Sequence, residues 1–399
     1  MTTSTTEALA PPTERYTILG WLKRNFFNSI GDSILSIIAI WITYVMLQST
    51  LSWAFREANW AVIADNLKLF MVGRYPAEEL WRVWAVLYFL AIVVGFTWSV
   101  WVNTKEKAGY VLIGIPVFLA LLPFSMNIRL LILAISLFGF LGVILGRAEN
   151  ESFKKWSIIL LLLYFPIGIV IIGGITEGGG ILPIVKPDLW GGLMLTILLA
   201  VIGIIFSFPI GVGLALGRQS NLPIINWFSV GFIELVRGVP LITILFMMDL
   251  MLPLFLPTGM RVEGVIRAFV AITLFSAAYM AENIRGGLQS IPRGQYEAAH
   301  ALGLSKFTEM TFIIMPQALR AVIPILVSQF IGLLKDTTLV MILSLFDLLG
   351  IGKSILGNPD YIGTSKEVYV FVAALFWVLS YSLSYASQRL ETSLGVGER

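Results

Sequence analysis

The sequence contains no cysteine and a single histidine, His300, among 399 residues. Without cysteine the chain forms no disulfide, holds no metal through thiolates and offers no thiol nucleophile. One histidine gives no basis for a histidine metal site, and its place in a polar loop suits a surface contact. Charge is scarce as well. Asp, Glu, Lys and Arg make up 13% of the residues, about half the roughly 25% usual in soluble domains. The net charge of +3 is too small to suggest a nucleic-acid partner. The polar N-terminal stretch lacks the short apolar core and small-residue exit of a cleaved signal, so the first hydrophobic run is expected to remain as an anchor.

Apolar residues fill the rest. They account for 57% of positions, mean hydropathy is +0.87, and they come in long runs. A helix needs about 20 such residues to cross a bilayer. Ten runs are legible, near residues 35–54, 81–102, 108–123, 128–145, 156–174, 193–216, 226–252, 265–281, 322–342 and 368–383. The expected fold is therefore an all-α polytopic membrane protein with about ten transmembrane helices. The third run is short, and a tilted or re-entrant helix there would change the count. Residues 1–28 read as a cytoplasmic tail, 29–186 as a first membrane region of about five helices, 187–390 as a second, and 391–399 as a cytoplasmic tail. The larger share of Lys and Arg then falls on the cytoplasmic side, Lys23, Arg24, Lys154, Lys155 and Arg293 among them, which favours both termini inside. Between the first two runs, Trp60, Ile63, Leu67 and Phe70 recur at helical spacing. They predict an amphipathic helix that lies on the outer membrane surface or packs over the bundle.

The longest predicted cytoplasmic loop, 285–320, carries the strongest local pattern. Pro292 and Gly294 interrupt the chain, a run of good helix formers follows, and Gly303 stops it, as a C′ glycine does. The small side chains of Ala298, Ala299 and Ala301 leave this short helix able to dock closely on another protein. A helix lying between two spans can pass force from a motor to the bundle.

Glu297-Ala298-Ala299, Gly303, Ile313 and Pro316 resemble the EAA motif of ABC-importer permeases at every spacing, with Met315 where the family carries leucine. The stretches IELVRGVPLITILF and LLKDTTLV extend the likeness to permeases for polar amino acids, over about half the chain. The first half, with its segment MVGRYP, resembles the larger permease subunit of general L-amino-acid importers. The resemblance implies a five-helix type I importer core in the second half and Glu297, Ala298, Ala299 and Gly303 seated in a groove on an ATPase. It also implies a second permease subunit, an ATPase dimer and a periplasmic amino-acid-binding protein, in a bacterial inner membrane. ATP and Mg belong to the ATPase, and no cofactor is expected in this chain. Gly352-Lys353-Ser354 looks like the end of a phosphate-binding loop, but Asp347 stands where that loop needs glycine. The chain is not expected to be an enzyme.

Ionisable residues inside spans usually mark a path or a pair. Glu234 and Arg237 lie three residues apart on one helix face, just before Gly238 and Pro240, and Lys335 and Asp336 are adjacent in the ninth run. Pro240 cannot donate to the carbonyl of Val236, so the helix is expected to break there and turn polar backbone towards a cavity. An amino acid brings an ammonium and a carboxylate, and these residues supply both complementary charges. Lining the translocation path is one role; mutual neutralisation that fixes helix packing is the other. Asp249, nearer the outer end of its run, is a candidate gate or delivery contact. Glu282 and Arg285 read as an interfacial anchor. The alternative functions are a secondary amino-acid transporter driven by an ion gradient, or a channel with no motor.

Overall fold

Leucine, isoleucine and valine in runs longer than twenty residues leave the backbone one way to satisfy its hydrogen bonds in hydrocarbon, the helix. The computed structural model, which describes residues 18–101, 109–121, 125–147, 151–176, 180–257, 259–393 and 395, is helical in all its elements. Its only extended pairings among these residues are isolated bridges, Thr176 to Pro183 and Gly192 to Asp347. It divides into two units, residues 1–61 and 62–399.

In the first unit, α1 (Ile18–Phe26) ends on Lys23 and Arg24, with Trp21 edge-on to Phe26. The second helix, α2 (Ile30–Ser52), is capped by Ser29, whose hydroxyl accepts from the Asp32 amide at 3.0 Å. Apolar residues such as Ile34, Leu35, Ile38 and Trp41 occur on every side of it, as suits a helix surrounded by lipid. It finishes in a π-helical turn, Trp53–Glu57.

α3 (Ala61–Asp65) begins at the boundary, and the second unit continues with α4 (Leu67–Val72), α5 (Leu80–Trp101), α6 (Gly109–Ala120), α7 (Met126–Gly146) and α8 (Glu151–Gly173). Next come α9 (Gly192–Arg218), α10 (Pro223–Arg237), α11 (Leu241–Phe246), α12 (Leu252–Phe255) and α13 (Gly264–Ser290). The chain closes with α14 (Arg293–Ala301), α15 (Lys306–Glu309), α16 (Met315–Asp336), α17 (Leu348–Leu356) and α18 (Ser365–Ser393). Among the described residues eight helices are long and apolar enough to cross a membrane, or nine when α10 and α11–α12, bent by 105°, form one broken span. The remaining expected span is α6, with 12 residues and Pro116 inside it. At about 1.5 Å per residue it reaches only some 18 Å.

Three clusters hold this unit together. The first joins Val86, Tyr164 and Ile172 of α5 and α8 to Leu195, Leu199, Leu245 and Ile272 of α9, α11 and α13. The second gathers Ala215, Ile233, Ala281, Ile284, Ile314 and Ala318 where α9, α10, α13 and α16 meet. Here α13 and α16 cross closely: a Cβ on Gly287 would stand 2.6 Å from the Ala318 carbonyl oxygen. In the third, Val62, Ile63 and Phe70 pack on Leu348, Ile351, Val368 and Val372 of α17 and α18. The amphipathic segment thus packs over the bundle, where its buried side chains fill the gap between two helices.

Arg82, at the start of α5, is fully buried. Its guanidinium lies 2.8 Å from a carboxylate oxygen of Glu79 and donates to the Pro183 carbonyl at 2.8 Å. Beside it the Tyr75 hydroxyl donates to the Ile172 carbonyl at 2.7 Å, and burial pushes this phenol up to about 12. The two side chains tie the chain entering α5 to the segment leaving α8.

Candidate coupling surface and charge network

α14 hangs directly from α13. Pro292, in an extended conformation, starts it. At its far end the Gly303 amide donates to the His300 carbonyl at 2.9 Å and the Leu304 amide to the Ala299 carbonyl at 3.2 Å. Together these bonds form a Schellman cap, which places its C′ residue in the left-handed region. Gly303 occupies that place, with φ +69°. Ser305 then caps α15 by accepting from the Thr308 amide, and a π-helical turn, Met310–Ile314, leads into α16. Pro316 sits in the first turn of α16, directly after the π-helical turn.

The motif residues do not all face the same way. Glu297 and Ala298 are exposed, and the space where a Cβ of Gly303 would point is open. Ala299 is 1% exposed: it turns towards its own chain, not outward. Tyr296 and Ile313 pack on the second cluster, of which Ile314 is a fully buried member. Burial and the charge of Glu309 push the Tyr296 phenol up. The Gln317 amide donates to Gln295 at 3.1 Å and to the Ile313 carbonyl at 2.7 Å. Leu302, Phe307 and Phe312 are strongly exposed, Phe307 at 75%, and sequence reading passed over them. Two phenylalanines in a polar loop were the available signal.

The charges near the break form a network with partners from other helices. The helix stops at Arg237 and restarts at Leu241, with Pro240 at the head of α11. Glu234, on α10, accepts from Arg218, the last residue of α9, at 3.0 Å. Arg237 lies 3.5 Å from Glu282 of α13 and 5.5 Å from the centre of the Tyr279 ring. Glu282 also meets Arg218 at 3.4 Å and is bonded bidentately by Arg285. Five residues from three helices therefore share charge where α9 and α10 end against the side of α13. Asn283 donates to Gln329 of α16 at 2.6 Å, and Gln329 donates back to the Ser276 carbonyl at 2.9 Å.

The other expected path residues lie outside this group. Asp249 is in the π-helical turn Met247–Met251 and pairs with Arg267 of α13 at 2.6 Å. Lys335 is exposed, and Asp336 ends α16 where the chain tightens into a 3₁₀ turn, Thr337–Leu343. Gly352, Lys353 and Ser354 lie within α17, with Asp347 as its cap, so no phosphate-binding loop is built there. Among the described residues no group of three or more acidic or histidine side chains is placed to hold a metal ion.

Residues 207–395 match the family model described as "Binding-protein-dependent transport system inner membrane component". The chain is 36% identical to the inner membrane amino-acid ABC transporter permease protein YhdY of Escherichia coli K12, over 94% of its own length and 93% of the relative's. It is 34% identical to the glutamate/glutamine/aspartate/asparagine transport system permease protein BztC of Rhodobacter capsulatus, over 98% and 97% of the two chains. A shorter relative, the probable glutamine ABC transporter permease protein GlnP of Bacillus subtilis, is 37% identical over 51% of this chain and 92% of its own. These matches give the ion-gradient alternative no support. With its multi-pass helical fold and these full-length relatives, the chain belongs to the family of ABC-importer permeases, membrane components of transport systems and not enzymes.

Proposed function

We propose that this permease carries polar L-amino acids across a bacterial inner membrane, as part of a complex with a second permease subunit, an ATPase dimer and a periplasmic amino-acid-binding protein. ATP and Mg act on the ATPase. Both termini and α14 lie in the cytoplasm, residues 187–390 form the permease core, and 285–320 is its coupling loop. The relative named for glutamate, glutamine, aspartate and asparagine transport and the one named for glutamine favour the polar substrate class.

One observation carries the mechanism. Through Tyr296, α14 is packed against the cluster that joins α13 to α16, to which the following π-helical turn contributes Ile314, and α13 carries Glu282 at the centre of the charge network. A displacement of α14 by the ATPase is therefore transmitted to the side chains around the α10–α11 break. Glu297, Ala298 and Gly303 present the outward side to the ATPase, Ile313 and Pro316 join the helix to α16, and Ala299 seats it on the bundle. Around the break, Glu234, Arg237 and the backbone near Pro240 offer opposite charges and free polar groups to a zwitterion, with Asp249, Lys335 and Asp336 further along the path.

Arg237→Ala tests the path. The variant complex is expected to assemble at normal yield and to lose most uptake of radiolabelled L-glutamine in proteoliposomes, at least about tenfold, the scale of one lost charge-assisted contact. Failure to assemble would assign Arg237 to helix packing instead. Uptake that resists vanadate and stops with an uncoupler would reject the ATP-driven mechanism outright.

A further inference from the structure

α1 has two chemically distinct faces. At 3.6 residues per turn, Trp21, Leu22 and Phe26 fall within an arc of about 140°, and Lys23 and Arg24 fall outside it. From Ile18 to Gly31 the chain holds no acidic residue. Trp21, Phe26 and Phe27 are exposed, and so are Lys23 and Arg24. Trp21 stands edge-on to Phe26, so the apolar side is a formed surface.

The attachment to α2 says what covers that surface. Ile30–Glu57 is a run of 28 residues, about 42 Å at about 1.5 Å per residue, against a hydrocarbon core of about 30 Å. Centred in the membrane, it leaves about four residues of each end among the headgroups. Ser36 then lies just inside the hydrocarbon boundary. Its hydroxyl donates to the Phe26 carbonyl at 2.7 Å, ten residues back, and so satisfies one of the free carbonyls that end α1. The last turn of α1 is therefore pinned beside the acyl boundary. Amphipathic helices lie at that depth with their apolar side in the membrane, and tryptophan favours the same level.

We infer that α1 is an interfacial helix that binds acidic phospholipids, with Trp21, Leu22 and Phe26 at the acyl boundary and Lys23 and Arg24 on the phosphates. Two adjacent cations, with no carboxylate among their neighbours in sequence, match an anionic headgroup and not a zwitterionic one. Arginine adds a bidentate fit to phosphate. The assignment holds whichever amino acid the permease carries, and needs only that α2 spans the membrane.

The absence of cysteine permits a direct test. Around the helix Asn25 falls between Trp21 and Leu22, so a bimane label on Asn25→Cys sits on the apolar side. The full chain is placed in nanodiscs that mix phosphatidylglycerol with phosphatidylcholine, one or the other brominated on its acyl chains. Brominated phosphatidylglycerol should quench the label at least about fivefold more effectively, the factor expected for one cation at an anionic surface. Raising salt from about 0.1 M to about 1 M shortens the screening length from about 10 Å to about 3 Å and should remove most of that preference. Lys23→Gln combined with Arg24→Gln should abolish the preference and keep the quenching, whereas Lys23→Arg should keep both. Quenching by neither lipid would put the apolar side against protein and overturn the interfacial helix. Equal quenching by the two lipids in the parent overturns the choice of acidic headgroups. A preference that survives loss of both cations overturns the role of Lys23 and Arg24.

Discussion

Asp347 shows how one side chain can set the conditions under which a membrane protein is stable. It is fully buried and caps α17, its Oδ1 accepting from the Gly350 amide at 2.9 Å and its Oδ2 from the Leu349 amide at 3.2 Å. Beside it the Leu348 amide donates to the Thr196 hydroxyl of α9 at 3.0 Å. Burial outweighs the two amide bonds and raises the carboxyl from 3.8 to about 6. A folded value above the unfolded one means that ionisation opposes folding. The stability tied to the protonated form is complete below the unfolded value and is lost as pH rises through about 6, on the order of 3 kcal/mol in all. Asp347→Asn keeps an acceptor for the cap and removes the charge. Melting of the purified protein between about pH 4 and about pH 7 should show a falling midpoint in the parent and a flatter one in Asp347→Asn. Equal slopes would show that this carboxyl does not control the profile. Asp347→Ala, which loses the cap as well, should be about 1 kcal/mol less stable than Asp347→Asn at every pH.

At the scale of elements, the coupling turn depends on Gly303 for two separable reasons: backbone conformation and open space on its outward side. Gly303→Asn tolerates the left-handed region better than a β-branched residue does, so Gly303→Val should destabilise the turn by about 1–2 kcal/mol and Gly303→Asn by less. Both are expected to lower uptake per ATP, since both add a side chain on the face offered to the ATPase. Equal coupling in the parent and both variants would remove Gly303 from the docking surface. The turn was legible because glycine after a run of helix formers has one common structural use. The α10–α11 break was legible for a similar reason, since Pro240 removes a helical donor whatever surrounds it. Charge partners were not. Spacing within one helix shows only its own neighbours, so Glu234 and Arg237 looked like a pair, whereas Arg218 and Glu282 arrive from α9 and α13. Glu309 was invisible for the same reason, as nothing in a polar loop marks the one carboxylate that tertiary packing buries. Composition also predicted a span at α6 that its described length does not support.

For the molecule as a whole, the question is whether the second half is an independent permease. A relative of about half this length is matched over 92% of itself by 51% of this chain, which poses the question for residues 187–399. The packing within residues 62–399 argues against independence. Val62, Ile63 and Phe70 are core members between α17 and α18, the Phe70 and Phe371 rings lie 5.0 Å apart, and α5 and α8 share the first cluster with α9 and α13. Removing one buried phenylalanine typically costs about 3–5 kcal/mol, and residues 62–75 supply one together with the buried aliphatic side chains of Val62, Ile63 and Val72. A fragment of residues 187–399 should therefore insert but melt well below the full chain and be degraded in the membrane. Supplying residues 62–186 as a second polypeptide should restore its accumulation, because the missing surfaces are apolar contacts that need no covalent link. Phe70→Ala in the full chain should reproduce much of the loss in melting temperature. A fragment that accumulates alone and melts with the full chain would make the first half an accessory, and the contacts at Phe70 incidental to stability. The packing predicts the reverse: residues 62–186 complete the core of residues 187–399, and these two segments fold together.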